Sequence, residues 1–140
     1  MAHNFGKQFS TTFKLTSASE TFRFDIPVEL QINKSRFVVN NITGKMTTNP
    51  SAVMVHSPEL SSSEKWSSIN YGNDLIATTA LTTTISNPIS HTVSTDDVGY
   101  RTPHYLQHNP RVTINLRDDS GASLSDIDYI LITITFYTTD

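Results

Sequence analysis

Residues 129–137 read YILITITFY, and this stretch decides the fold. From Ile130 to Phe136 every second side chain is large and apolar, and threonines occupy two of the three positions between them. Side chains two positions apart lie on the same face of a β-strand, whereas a helix would spread them around its circumference. The stretch therefore predicts a strand with one face in a hydrophobic core.

The same kind of pattern recurs along the chain. Alternating or β-branched runs occupy residues 9–15, 22–32, 36–42, 53–56, 75–81 and 112–116. In the second run the apolar residues fall at even positions from Phe22 to Ile32 over eleven residues, and Pro27 lies on the polar side. Proline cannot donate a ladder hydrogen bond, so we expect a bend, a bulge or two shorter strands there, at a sheet edge.

Turn-forming residues separate these runs. Asp118-Asp119-Ser120-Gly121 is typical of a tight turn in which glycine takes a positive φ, and three Asn-Pro pairs mark further breaks. Residues 57–72 are polar and indicate a long loop, with one helical turn near 62–66. About eight one-sided strands with long connections favour a single jelly-roll-type β-sandwich of antiparallel strands, one domain over residues 1–140, rather than an up-and-down barrel.

The composition excludes several classes of protein. The 140 residues contain no cysteine, so disulfides, thiolate metal sites and thiol catalysis are ruled out. A net charge of −3 is not the basic footprint of a nucleic-acid-binding protein. No apolar stretch reaches the ~20 residues of a membrane span, and residues 1–9 have no apolar signal core. Charged residues make up 16 %, and a surface rich in Ser, Thr and Asn suits packing against other copies.

No motif of catalysis or metal binding is present. The chain lacks the G-x-S-x-G, P-loop and G-x-G-x-x-G patterns. His104 and His108 are four residues apart, but the flanking prolines argue against a shared helical face, and His56 is interpreted as a polar strand end. The acidic pairs at 96–97 and 118–119 fit turns, and calcium at the second would need further oxygen ligands. We expect no enzyme, metal or cofactor; an enzyme on this fold would need polar groups converging from distant positions.

Four aromatic residues form the candidate binding set: Trp66, Tyr71, Tyr100 and Tyr105. All four lie in predicted loops among polar neighbours. Exposed aromatic rings stack on sugars or anchor protein interfaces. The alternative is that each ring closes the open end of the sandwich.

The second half of the chain resembles a known group of proteins. Its order is VMVHSPEL, a polar loop, LIATTAL, a long connection with Tyr100 and Tyr105, RVTINLRDDSGASL and finally YILITITFY. This order is similar to that of the small jelly-roll structural proteins (minor capsid, penton or cement type) of tailless double-stranded DNA viruses such as virophages and polinton-like viruses. The likeness spans roughly residues 53–136.

The resemblance implies a viral structural protein in the virion, assembled inside the host cell. Its expected partners are itself, in a ring or trimer, and other capsid proteins. Sheet edges such as the one near Pro27 are the expected contacts between subunits. The alternative function is a carbohydrate- or receptor-binding module of fibre-head type, which predicts that the four aromatic residues cluster on one open surface.

Overall fold

The computed structural model describes residues 5–46, 52–60, 75–80, 89–92, 100–125 and 127–139. Nine strands lie in these residues: β1 (Phe5–Leu15), β2 (Ser19–Arg23), β3 (Arg36–Met46), β4 (Ala52–His56), β5 (Leu75–Ala80), β6 (Ile89–Thr92), β7 (Tyr100–Arg101), β8 (Arg111–Arg117) and β9 (Ile127–Thr139). Short 3-10 turns occur at Ile32–Lys34, Pro58–Leu60 and His104–Gln107. Within the described ranges there is no α-helix, and no helical segment has the length and apolar character needed to cross a bilayer. The all-β prediction is confirmed.

The strands form two antiparallel sheets. The first sheet has the order β1-β9-β3-β6, with the two-residue β7 also pairing with β3, and the second has the order β2-β8-β4-β5. With β7 set aside, the first strand pairs with the last, the second with the one before it, β3 with β6 and β4 with β5. This nesting of antiparallel pairs, divided between two sheets, is the jelly-roll topology. The predicted sandwich is therefore confirmed.

The core lies between the two sheets. In β9 the inward residues Ile130, Ile132, Ile134 and Phe136 are fully buried, as their alternation predicted. Val112, Ile114 and Leu116 of β8 meet them from the second sheet and are equally buried. A continuous apolar layer of this kind supplies most of the stability of a two-sheet domain.

Aromatic rings fill the end of the core where β2 stops. The ring of Phe24 stacks on Phe136 at a centroid distance of 5.5 Å and lies 6.1 Å from the rings of both Phe9 and Phe13. Phe13 also stacks on Phe22 at 4.8 Å. Offset and edge-to-face packing at these distances adds to the stabilisation from buried area.

The strand pattern predicted over residues 22–32, with a bend, a bulge or a division at Pro27, is wrong beyond Arg23, where β2 ends. The chain leaves the sheet there, and the N–H of Leu30 bonds to the carbonyl of Pro27 at 3.0 Å, closing a turn. Val28 in this turn is 94 % exposed, although it has the same parity as Phe24, which is 7 % exposed. The bend expected at Pro27 is present as this turn, after the ladder has ended. Pro27 itself lies in no strand, while the preceding β2 is an outer strand of the second sheet.

Two further predictions on chain connections meet the structure only in part. The predicted turn at residues 118–121 is present: Gly121 has φ 91° and its N–H bonds to the carbonyl of Asp118 at 3.1 Å. The predicted helical turn near residues 62–66 falls outside the described residues, while a 3-10 turn occupies Pro58–Leu60. Strand β6 was not predicted, because Ile89-Ser-His-Thr92 is too short to show alternation.

Candidate functional site

Two of the four predicted aromatic residues, Tyr100 and Tyr105, lie in the described part of the chain. Trp66 and Tyr71 lie outside the described residues. The prediction that Tyr100 lies in a loop is wrong, because it belongs to the two-residue strand β7, where its backbone pairs with Phe37 of β3. Tyr105 lies in the 3-10 turn before β8 and is 47 % exposed. Of the predicted binding set, Tyr105 is thus the residue whose ring is described, and it faces solvent.

The ring of Tyr105 is held in a fixed orientation. Its hydroxyl donates a hydrogen bond to the backbone carbonyl of Glu59, and its own carbonyl accepts the N–H groups of His108 and Asn109, each at 3.1 Å. Burial, and then the negative charge of the Glu59 carboxylate, raise the pKa of Tyr105 above its usual 10.0. The hydroxyl therefore stays protonated and continues to donate at neutral pH.

Glu59 connects Tyr105 to the second sheet. Its Oε1 accepts the backbone N–H of Thr113 at 2.8 Å, and its Oε2 accepts the Thr113 hydroxyl at 3.0 Å. The Ser57 hydroxyl approaches Oε1 at 3.5 Å. The 3-10 turn after β4 places Glu59 against β8, where β4 itself has already left the sheet. Sequence patterns did not single out Glu59, because its partner lies far along the chain.

Polar side chains face each other in rows on the outer side of β2 and β8. Thr21 and Thr113 are paired, and their hydroxyls lie 2.9 Å apart. In the next row the Ser19 hydroxyl donates to Oδ1 of Asn115 at 2.7 Å. The N–H of Thr113 bonds to Glu59 and so points away from β2, which makes Thr21–Thr113 a non-hydrogen-bonded pair with closely spaced side chains.

The third row of this face consists of two arginines. Arg23 of β2 lies directly opposite Arg111 of β8, and both are exposed. This pair is also of the non-hydrogen-bonded type, because the N–H of Arg111 bonds to the Asn109 carbonyl at 2.8 Å and that of Phe24 to the Pro110 carbonyl at 3.0 Å. We call the residues Arg23, Arg111, Thr113, Glu59 and Tyr105 the arginine–tyrosine surface.

The sequence also raised a metal site at its histidines and acidic pairs, of which Asp96 and Asp97 lie outside the described residues. In the described part of the chain, no three His, Asp or Glu side chains lie close enough to hold one ion together. His56 ends β4 as predicted, yet it is 2 % exposed rather than a surface residue. His108 is exposed just after the 3-10 turn at His104–Gln107.

The Asp118 carboxylate organises its own turn. Its Oδ1 accepts the Ser120 hydroxyl at 2.6 Å, the Ser120 N–H at 2.9 Å and the Ala122 N–H at 3.0 Å. These bonds, the one from the Ser120 hydroxyl first, lower the pKa of Asp118 below its usual 3.8. Asp118 thus acts as a turn residue, as the sequence predicted.

Comparison with known proteins gives no family for this chain: no family model matches it, and no curated protein matches it significantly. What can be argued about function therefore comes from the fold and from the surface described above.

Proposed function

We propose that this chain is a structural subunit of a virus particle, a minor capsid protein of penton, cement or accessory type. It acts by assembling with itself, in a ring or trimer, and with other capsid proteins in the virion. The observation that carries the proposal is the nested strand pairing, since the jelly roll is a recurrent architecture of viral capsid domains. The step from fold to function is an analogy, and the resemblance of residues 53–136 supports it.

The edge strand β2 supports an assembly role. Its pairs with β8 at Ser19, Thr21 and Arg23 do not exchange backbone hydrogen bonds, so at these positions the backbone N–H and C=O groups point to the open edge. The Ser19 carbonyl already accepts the Ser17 hydroxyl at 3.1 Å. The outward backbone groups of Thr21 and Arg23 are available to a strand from another subunit.

The mass of the purified protein in solution tests the proposal. We expect a discrete ring or trimer, and we expect the protein to sediment with particles when these are present. Thr21→Pro removes one outward N–H without touching the β2–β8 ladder and should weaken association. Thr21→Val keeps that N–H and the β-branched shape, so it serves as the matched control. A strictly monomeric protein at high concentration, with no particle association, would contradict the proposal.

A second candidate function is saccharide or receptor binding, and the exposed Tyr105 ring favours it. Tyr105 is about half exposed, and the bond from its hydroxyl to Glu59 restricts its rotation, so less conformational entropy is lost when a ligand stacks on the ring. Glycan-array screening tests this function. Tyr105→Ala should abolish the signal and Tyr105→Phe should retain most of it; binding that persists in Tyr105→Ala would exclude this ring as the stacking surface.

A further inference from the structure

The arginine pair places two like charges in the closest arrangement that an antiparallel sheet offers. Arg23 and Arg111 form a directly opposed, non-hydrogen-bonded pair, in which Cα atoms are about 4.5 Å apart. Like charges in such a position destabilise the pairing. The two rows next to it contain neutral partners joined by hydrogen bonds, so the charged row is the exception on this face.

Neither arginine has its charge compensated within the described structure. No hydrogen bond or ion pair joins the guanidinium group of Arg23 or Arg111 to another residue there. Asp25 follows Arg23 by two positions and is exposed, but it forms no ion pair with either arginine. Two guanidinium groups that are exposed, adjacent and without a partner have the character of an empty site for an anion.

The chemistry of the surface indicates which anion fits. A guanidinium group offers parallel N–H donors that match the two oxygens of a carboxylate or of a sulfate group. Thr113 lies two residues from Arg111 on the same face, about 7 Å along the strand. Glu59, bound to Thr113, has acceptor capacity left on its Oε2, and its carbonyl holds Tyr105. The surface therefore offers N–H donors for an anionic group, then an acceptor for a sugar hydroxyl, and then an aromatic ring.

We propose that the arginine–tyrosine surface binds an acidic saccharide, with a carboxylate or sulfate group between Arg23 and Arg111 and a neighbouring sugar ring on Tyr105. The inference rests on the saccharide-binding function proposed second above and is independent of capsid assembly. It assigns the anionic group to the arginine pair and the apolar face of the sugar to the tyrosine.

Isothermal titration of the full chain at low salt with a heparin-derived tetrasaccharide, 3′-sialyllactose and sodium sulfate tests the site. We expect Arg23→Gln and Arg111→Gln each to weaken binding of the saccharides about tenfold, the effect of losing one charged hydrogen-bonding group. Arg117→Gln, at the opposite end of β8 and equally exposed, should leave binding within about twofold of the wild type. Tyr105→Ala should weaken binding of the saccharides and leave that of sulfate unchanged.

These results distinguish a failure of the proposed anion site from a failure of the saccharide-binding function on which it rests. Saccharide binding that is insensitive to both arginine variants but lost in Tyr105→Ala overturns the inference and leaves the second function standing. No saccharide binding at all overturns both. Binding of a poly-glutamate peptide in place of the saccharides overturns the choice of ligand and indicates an acidic protein partner instead.

A stability measurement gives an independent readout. If Arg23 and Arg111 form a binding site, their mutual repulsion should destabilise the fold when no ligand is bound. Arg23→Gln and Arg111→Gln should then each raise the melting temperature at low salt. The increase should disappear near 1 M NaCl, where charges are screened within about 3 Å. A fall in melting temperature in both variants would mean that the arginines stabilise the sheet, and it would overturn the inference.

Discussion

The carboxylate of Glu59 takes the place of a neighbouring strand for Thr113 of β8. Strand β4 pairs with β8 only from Met54 to His56, so the N–H of Thr113 lies beyond the end of that ladder. Glu59 Oε1 accepts this N–H at 2.8 Å, while Oε2 accepts the Thr113 hydroxyl. The Glu59 side chain thereby accepts the hydrogen bond of a β8 backbone group at the point where β4 has left the sheet. The backbone carbonyl of Glu59 accepts the Tyr105 hydroxyl and so positions that ring.

Removal of the Glu59 carboxylate should destabilise the protein. We expect Glu59→Ala to lower the free energy of unfolding by about 2 kcal/mol, because a charged acceptor is lost and the Thr113 N–H has no replacement. Glu59→Gln should cost less, since the amide oxygen still accepts the N–H. Urea denaturation measures both. Glu20→Ala is the control: its carboxylate accepts the N–H of Thr16 at an exposed turn, and its loss should cost less than about 1 kcal/mol. Equal effects at the two positions would refute the role given to Glu59.

A second prediction concerns Gly44 of β3, where a side chain would collide with the backbone of β9. A Cβ atom on Gly44 would lie 2.4 Å from the carbonyl oxygen of Tyr129 and 2.8 Å from the Cα of Ile130. Strand β3 is paired with β9 on one side and β6 on the other, so its backbone cannot move aside. We expect Gly44→Ala to cost about 3 kcal/mol.

Gly121→Ala provides the comparison for Gly44. A Cβ atom there meets nothing within 4 Å, but φ is 91°, so the cost is backbone strain of about 1–2 kcal/mol. Chemical denaturation of the two variants should therefore rank Gly44→Ala as the more damaging. The reverse order would show that β3 and β9 can separate at this point.

The fold was largely predictable because each strand encodes its own buried face. The alternation in β8 and β9 gave both the strands and their inward residues correctly. The alternation after Phe22 failed because apolar residues also line a loop: Leu30 and Ile32 are buried without belonging to a strand. Periodicity reports which side chains are apolar, but it does not report that the β2 ladder ends at Arg23, before Pro27.

The candidate site was predictable only where it depends on a single loop. Tyr105 was correctly placed in a connection between strands, because polar neighbours and flanking prolines mark such segments, but the sequence left open whether its ring is exposed. Arg23 and Arg111 were not recognised, since they become neighbours through the register of two strands that lie far apart in sequence. One sequence contains no signal for that register beyond the apolar faces themselves.

Phe24 and Val28 should respond very differently to truncation, although the sequence pattern treats them alike. Phe24→Ala removes a ring packed on Phe136, Phe9 and Phe13, and it should cost about 3–5 kcal/mol. Val28→Ser, at a fully exposed turn, should change stability by less than about 0.5 kcal/mol. Thermal or urea unfolding measures both. A large loss in Val28→Ser would mean that residues 22–32 do continue as a strand against the core.

The raised pKa of Tyr105 predicts a loss of stability in alkali. Burial and the charge of Glu59 keep the phenol protonated in the folded chain after the same residue in the unfolded chain has ionised near its usual pKa of 10.0. The contribution of Tyr105 is therefore complete below that pH, and it is lost as the pH rises towards the higher pKa of the folded state.

Wild type should exceed Tyr105→Phe in free energy of unfolding by about 1 kcal/mol at neutral pH, the value of one hydrogen bond, and this difference should shrink above about pH 10. In Glu59→Gln the negative charge that helps to raise the pKa of Tyr105 is absent, so the loss of stability in alkali should be smaller. Urea titrations from about pH 7 to pH 11 test the prediction; parallel decline of wild type and Tyr105→Phe would show that the Tyr105 hydroxyl is not held by Glu59.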